Sequence, residues 1–287
     1  MGTRLDGLTL VLAAAPALIW PGAAAAKFAP PEGKALRYVV TDEREEGRFA
    51  SERTIVFTKT DQGWLAEVTI VSNGPVAGPR GVVSMAGRAM AVLAGRTIRY
   101  RLNKDGVVVE VEDQDALMKA VVDGLGKMGG GTAGTPARTG TAQSVAGVIG
   151  SLKPDGQRTL LASMLAPVIA GVAESSGVPG ERPIAMPAGS WMGQQAELKG
   201  TEKTTRDVAG RIVIDNVVEG PAPGALAGSM AAGAAPRGTP MMRIAQHREI
   251  DPATGLVMLN TRTTTSWLST AADERQTSRS SATLTIG

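Results

Sequence analysis

Hydrophobic and polar positions alternate with a period of two along much of the chain, most plainly in residues 95–113, "GRTIRYRLNKDGVVVEVED". Ile98, Tyr100 and Leu102 alternate with Arg99, Arg101 and Asn103. Beyond "NKDG", Val107, Val109 and Val111 alternate with Val108, Glu110 and Glu112. Successive side chains of a strand point to opposite faces, so the pattern predicts a hairpin with one apolar and one charged side. A three-residue loop would set Tyr100 opposite Glu110 and mix the faces. A four-residue loop over 103–106 pairs Leu102 with Val107, Tyr100 with Val109 and Ile98 with Val111, with Arg99 across from Glu110. That second register keeps each face uniform and is the expected one.

The same period marks other strands. Leu36, Tyr38 and Val40 begin one that runs into the acidic turn "TDEREEG", and Ile55 and Phe57 lie on the return. "DQG" then turns the chain into "WLAEVTIV", where Trp64, Ala66, Val68 and Ile70 share a face, and "SNGPVAGPRG" reads as turn chemistry. In the second half, strands resume near Trp191 with "WMGQQAELKG" and "TTRDVAGRIVIDNVV". A last hairpin joins "MRIAQHREI" to "GLVMLNTRTTTSWL" through "DPATG", where Pro252 suits the second turn position and Gly255 the left-handed exit. "SRSSATLTI" closes the pattern.

Between these flanks the period becomes helical. Behind the N-cap candidate Asp113, Leu117, Ala120, Val121 and Leu125 recur at helical spacing. A Gly/Thr/Ala linker is expected from Gly126 to about Gly140. A second helix is expected to begin at Pro154-Asp155 and to carry Leu160, Leu161, Met164 and Leu165. Pro167 kinks or ends it, with "VIAGVAE" continuing the pattern. The expected fold is therefore α+β: a curved antiparallel sheet, a half-barrel, wrapped over two central helices that cover the valine side of the hairpin. It is read as one domain over residues 27–287, with a helical insert at about 113–175 and Gly/Ala-rich loops at about 126–145 and 220–239.

Composition narrows the chemistry. The chain has no cysteine, which removes disulfides, thiol nucleophiles, Cys-based metal sites and a lipid-anchored cysteine. A single histidine, His247, removes any site that needs two imidazoles. Residues 1–26 carry Arg4, an apolar run from Leu8 to Trp20, then "PGAAAAK" with small residues before the junction. This resembles a secretory signal peptide cut after Ala26 and implies a periplasmic or secreted protein. Pro16 and the Pro21-Gly22 pair interrupt the run, which falls short of the roughly 20 apolar residues of a membrane span. No span is expected after signal removal. The net charge of +3 is spread along the chain, and basic residues are not interleaved with aromatics, so no nucleic-acid partner is expected. With aromatics at 3%, the core must be built from Val, Leu, Ile, Met and Ala.

The order of signal peptide, hairpins, two helices and further long hairpins resembles that of the lipoprotein-localisation-factor-like bacterial envelope proteins. The residues that carry the likeness are "LAGRTIRYRLNKDGVVVEVED" with the helix that follows, and "REIDPATGLVMLNTRTTTSW". The resemblance implies an unclosed barrel around helices with an apolar cavity, and a carrier or sensor of lipid-like ligands. On that view the lining is Tyr100, Val109, Val111, Leu117, Val121, Met164 and Leu165, and the partner is a lipid or another hydrophobic small molecule.

Other chemistry is thin. "GLGKMG" (Gly124, Gly126, Gly129) matches G-x-G-x-x-G but follows a predicted helix rather than a strand, so it reads as a helix stop and no cofactor is expected. Asp42, Glu43, Glu45 and Glu46 lack calcium-loop spacing and are interleaved with Arg44 and Arg48; they read as a solvated hairpin tip, and no metal is expected. His247 shares a strand face with Arg243, Ala245 and Glu249, and is read as an exposed or cross-strand histidine rather than a catalytic base. With no G-x-S-x-G or S-x-x-K arrangement, no catalytic residue is expected. Met85, Met90, Met118, Met164 and Met258 serve equally as an adaptable pocket or as core filling. The chain is thus read as a non-enzymatic ligand-binding envelope protein. The alternative is a structural or assembly partner of another envelope protein, with a filled core.

Overall fold

The computed structural model describes residues 28–44, 47–77, 92–129, 146–171, 174, 177–189, 195–222 and 238–286. The signal-peptide segment, Met85 and Met90, and most of both Gly/Ala-rich loops lie outside them. The elements run β1 (Ala35–Arg44), β2 (Gly47–Thr60), β3 (Gly63–Ala77), β4 (Thr97–Leu102), β5 (Val108–Val111), α1 (Gln114–Gly129), α2 (Pro154–Ala162), β6 (Gly180–Gly189), β7 (Gln195–Arg206), β8 (Ile212–Pro221), β9 (Pro240–Asp251), β10 (Leu256–Leu268) and β11 (Ala271–Ile286). The strands form one unclosed antiparallel sheet in the order β5-β4-β3-β2-β1-β11-β10-β9-β8-β7-β6. The α+β class and the open antiparallel sheet are as the alternation predicts.

Contacts divide the chain into two compact units. One holds Phe28–Thr41, Gly47–Ile169 and Thr283–Gly287, and includes both helices. The other holds Asp42–Glu46 and Ala170–Ala282.

In the helical unit the inward-facing positions of the sheet are apolar and closed to water. Ile55, Phe57, Ala66, Val68, Ile70, Ile98 and Tyr100 are all at most 1% exposed. α1 buries Leu117, Val121 and Leu125 as its spacing predicts, together with Met118, while Ala120 is half-buried. Its last turns include Gly124, Gly126 and Gly129, so the helix runs three residues past the expected linker start and "GLGKMG" is helical. At Gly124 a β-carbon would fall 2.2 Å from the Val92 side chain, so only glycine allows that approach. α2 begins at Pro154, where a missing N–H is harmless, and Asp155 suits the positive helix start. It ends at Ala162. Pro167 then lies in a short 3₁₀ turn, Ala166–Val168, and Ile169 is extended, so the helix does not run on through Val168 and Ile169; Val172 and Ala173 of "VIAGVAE" lie outside the described residues.

Two side chains rising from the sheet meet the end of α2. The Tyr100 hydroxyl donates to the Leu161 carbonyl at 3.0 Å, and Arg53 Nη1 donates to the Met164 carbonyl at 2.6 Å. Carbonyls at a helix C-terminus lack intrahelical partners and carry partial negative charge, so a hydroxyl and a cation are suited to that end. The Arg53 guanidinium also lies 5.7 Å over the Tyr38 ring. Burial holds its pKa below the ordinary arginine value, with the two tyrosines opposing the shift.

The hairpin departs from its expected register. Tyr100 faces Val111, Arg101 faces Glu110 and Leu102 faces Val108, with a bulge that leaves Val109 unopposed. Asn103 N–H donates to the Val107 carbonyl at 3.0 Å, Asn103 Oδ1 accepts the Asp105 and Val107 N–H groups, and Gly106 takes φ +81°, so the turn closes on three residues, 104–106, rather than four, and a bulge at Val109 follows it. The extra residue turns Val109 outward, 51% exposed, while Val111 stays 5% exposed. Arg99 accordingly pairs with Glu67 at 2.9 Å rather than facing Glu110.

Other boundaries also move. β3 continues through "SNGPVA", which was read as turn. β1 continues through Asp42 and Glu43 to Arg44, so the acidic turn is shorter than expected. β6, with Pro183 and Pro187, was not anticipated; both prolines sit on an edge strand, where a missing ladder donor is tolerated. The "DPATG" turn is as expected, with Gly255 at φ +70° and Asp251 Oδ1 accepting the Ala253 N–H at 2.9 Å.

Removing the Tyr100 hydroxyl leaves the Leu161 carbonyl to the Met164 N–H, at 3.2 Å, so Tyr100→Phe lowers stability by about 1 kcal/mol in urea unfolding at pH 7. Burial also raises the Tyr100 pKa, so above the ordinary tyrosine value of about 10 ionisation favours the unfolded chain. Stability therefore falls as pH rises past that value, and the phenylalanine variant falls less over the same interval.

Candidate functional site

The expected lining residues lie in the helical unit. Tyr100, Val111, Leu117, Val121, Met164 and Leu165 are buried there, between 0% and 7% exposed. Val109 is not among them, because the bulge turns it to the surface. A groove of about 460 Å³ in the same unit is lined by charged and polar groups, chiefly Arg96, Arg99, Glu112 and Asp113, with Ala116 and Leu117 at its side.

The other unit carries a feature that the sequence reading passed over. In β8, "IVIDNVVEGP", Ile212, Ile214 and Val218 point to the buried face and Asp215, Val217 and Glu219 to the surface. Asn216 shares the parity of the isoleucines and is 5% exposed. The ladders set Asn216 between Glu202 of β7 and Gln246 of β9; beyond them, Arg182 of β6 faces Glu202 and Arg262 of β10 faces Gln246. Five polar side chains thus form one transverse row across five strands, Arg182–Glu202–Asn216–Gln246–Arg262.

Apolar clusters flank the row. On one side are Ala170, Ile212, Ile214, Ile250 and Val257, and on the other Ala188, Leu198, Val218, Met242 and Ile244. Packing a polar row between such clusters is costly unless each group is bonded. Part of the row is. Arg182 Nε donates to Glu202 Oε1 at 2.8 Å, and Gln246 Nε2 donates to Asn260 Oδ1 at 2.9 Å. Two atoms are not: Asn216 Oδ1 and Arg262 Nη2 are buried without a hydrogen-bond partner among the described residues. Burial lowers the Arg262 pKa, and the Asp42 carboxylate opposes that shift. On the same face Arg248 is ion-paired with Glu174, and Gly177 packs against Ile212, so chain beyond α2 covers one end of it.

The outer face of these strands is a charged surface. His247 Nδ1 lies 2.7 Å from Asp215 Oδ1 across the ladder, and its Nε2 lies 3.6 Å from Glu249 Oε1. Glu249 also binds Arg211 at 2.5 Å. His247 is therefore a cross-strand histidine in a surface network, sharing its face with Arg243, Ala245 and Glu249 as expected. A groove of about 270 Å³ lies nearby, between Glu219, Arg243, Ala245, Thr263, Thr265 and Trp267. No group of three or more metal-capable side chains occurs among the described residues, and none of their helices is long and apolar enough to cross a membrane.

One signal for the row was present in the sequence: an asparagine among the inward positions of a strand that are otherwise filled by Ile212, Ile214, Val218 and Gly220. Its other members needed the register. Glu202, Gln246 and Arg262 sit in segments whose polar residues fall on both faces, so parity alone does not single them out.

No protein-family model matches the chain, and no curated protein matches it. Among solved structures, a crystal structure of a protein of unknown function from the DUF3598 family of Nostoc punctiforme is 9% identical. The match covers 88% of this chain and 96% of that one, with a TM-score of 0.14. A likeness of that size identifies neither fold nor function.

An unbonded buried acceptor is a standing cost, so an apolar residue of similar size at 216 removes it. Asn216→Leu leaves the purified protein as stable as before or more stable by about 1 kcal/mol in urea unfolding. A loss of several kcal/mol would mean that Asn216 is bonded in the folded protein.

Proposed function

We propose that the chain is a secreted, periplasmic, non-enzymatic protein that binds a lipid or another amphiphile. We place the ligand against the buried face of β6–β10 rather than among the seven residues first expected to line the site. The observation that carries this reading is the half-satisfied polar row between two apolar clusters. Hydrocarbon laid along Ile212, Ile214 and Ile250, or along Leu198, Val218 and Met242, leaves water at a gain of about 25 cal/mol per Å² buried. The row supplies polar atoms where a headgroup would sit. The resemblance in element order to envelope lipid carriers points the same way.

Uptake follows from partition. Asn216 and the apolar clusters beside it are closed to solvent, so binding requires the chain that covers them to move aside, and association is slow compared with an open groove. The surface network around His247 takes no part. The second reading, an assembly partner for another envelope protein, predicts a different companion for the purified chain.

Mature protein isolated from the envelope is expected to carry extractable lipid near one equivalent by mass spectrometry. After delipidation, fatty acids raise its melting temperature. A lipid-free protein whose melting point is unmoved by fatty acids rejects the proposal, and a stoichiometric envelope protein retained in its place selects the assembly reading.

A further inference from the structure

Resting on the amphiphile-binding reading, we infer that the polar row is a headgroup site that selects an anionic amphiphile also bearing a hydrogen-bond donor. Arg262 Nη2 is a donor without an acceptor, and Asn216 Oδ1 is an acceptor without a donor; both atoms are buried. The two residues stand on the same face, two strands apart and opposite the two sides of Gln246. Their backbones are therefore about 10 Å apart, a span that the arginine side chain largely closes. The Gln246 Nε2 group between them is already bonded to Asn260. A headgroup lying over Gln246 meets both open atoms.

The chemistry of the two atoms fixes the class. A guanidinium in a poorly hydrated place is best matched by a carboxylate or phosphate oxygen. Arg182 on this row is engaged by Glu202, and Arg248 on this face by Glu174. Asp42 favours the charged form of Arg262 but makes no hydrogen bond to Nη2. A bare carboxylate would answer the arginine and leave Asn216 Oδ1 unpaired. A neutral hydroxyl or amide would answer the asparagine and leave a buried cation without a counter-charge. A headgroup with an anionic oxygen a few ångströms from an N–H or O–H satisfies both. N-acyl amino acids have this arrangement, with an amide N–H and a carboxylate on either side of one carbon.

The test uses the delipidated mature protein and three probes: N-palmitoylglycine, its methyl ester and palmitate, titrated by calorimetry. The wild type is expected to bind N-palmitoylglycine roughly ten- to a hundredfold more tightly than the ester, as befits a charge-assisted bond. It is also expected to bind N-palmitoylglycine more tightly than palmitate. Arg262→Met removes the preference over the ester while the ester's own affinity is kept, which also reports that the variant is folded. Arg262→Lys keeps part of that preference. Asn216→Leu brings N-palmitoylglycine down to the level of palmitate. Equal binding of acid and ester by the wild type, or an unchanged ratio in both Arg262 variants, overturns the headgroup site and leaves amphiphile binding standing. Failure of all three probes to bind overturns both.

Discussion

Cross-strand register is the constraint on which the rest of the structure depends. In an antiparallel sheet each residue faces one side or the other, and one inserted residue exchanges the sides for everything beyond it. At the β4–β5 hairpin that exchange happens: the bulge sends Val109 to water and brings Val111 against Tyr100. In β6–β10 register has the opposite effect. It carries five polar residues, scattered over about eighty positions of sequence, into one line between two apolar clusters of the same face.

Much of the fold was legible because alternation and turn chemistry act locally. Gly255 is left-handed as "DPATG" demands, the inward positions of β4 are those that the period of two marks, and α1 buries its apolar stripe. What escaped was non-local or lay where local signals conflict. β6 was missed because two prolines argue against a strand, and only its place at the sheet edge makes them harmless. The three-residue closure between Asn103 and Val107 was set aside because it mixes the faces, and only the bulge at Val109, with Asn103 accepting two backbone N–H groups, makes it compatible with a buried Val111. The end of α2 at Ala162 is met by Tyr100 and Arg53, residues 61 and 111 positions from the carbonyls they reach.

The candidate site divides in the same way. Six of the seven expected lining residues are buried together in the helical unit, where apolar periodicity suffices to place them. In that unit Tyr100 and Arg53 donate to the Leu161 and Met164 carbonyls at and just beyond the end of α2, while Arg53 Nε is buried without a hydrogen-bond partner among the described residues. In the unit of β6–β10 two such atoms, Asn216 Oδ1 and Arg262 Nη2, lie on one row. A polar row set between apolar clusters with part of its bonding unmet is the feature on which the ligand proposal rests.

The central claim is that register puts Asn216 among the buried positions of the sheet, on the face that carries the row. Because the chain has no cysteine, a single introduced thiol reports its own surroundings without interference. The direct measurement is the rate of thiol labelling of Asn216→Cys beside that of Val217→Cys, its outward neighbour, in the folded protein. Register predicts that the cysteine at 217 reacts near the rate of a free thiol, while the one at 216 reacts only as fast as the protein opens. Equal and rapid labelling at both positions would contradict it.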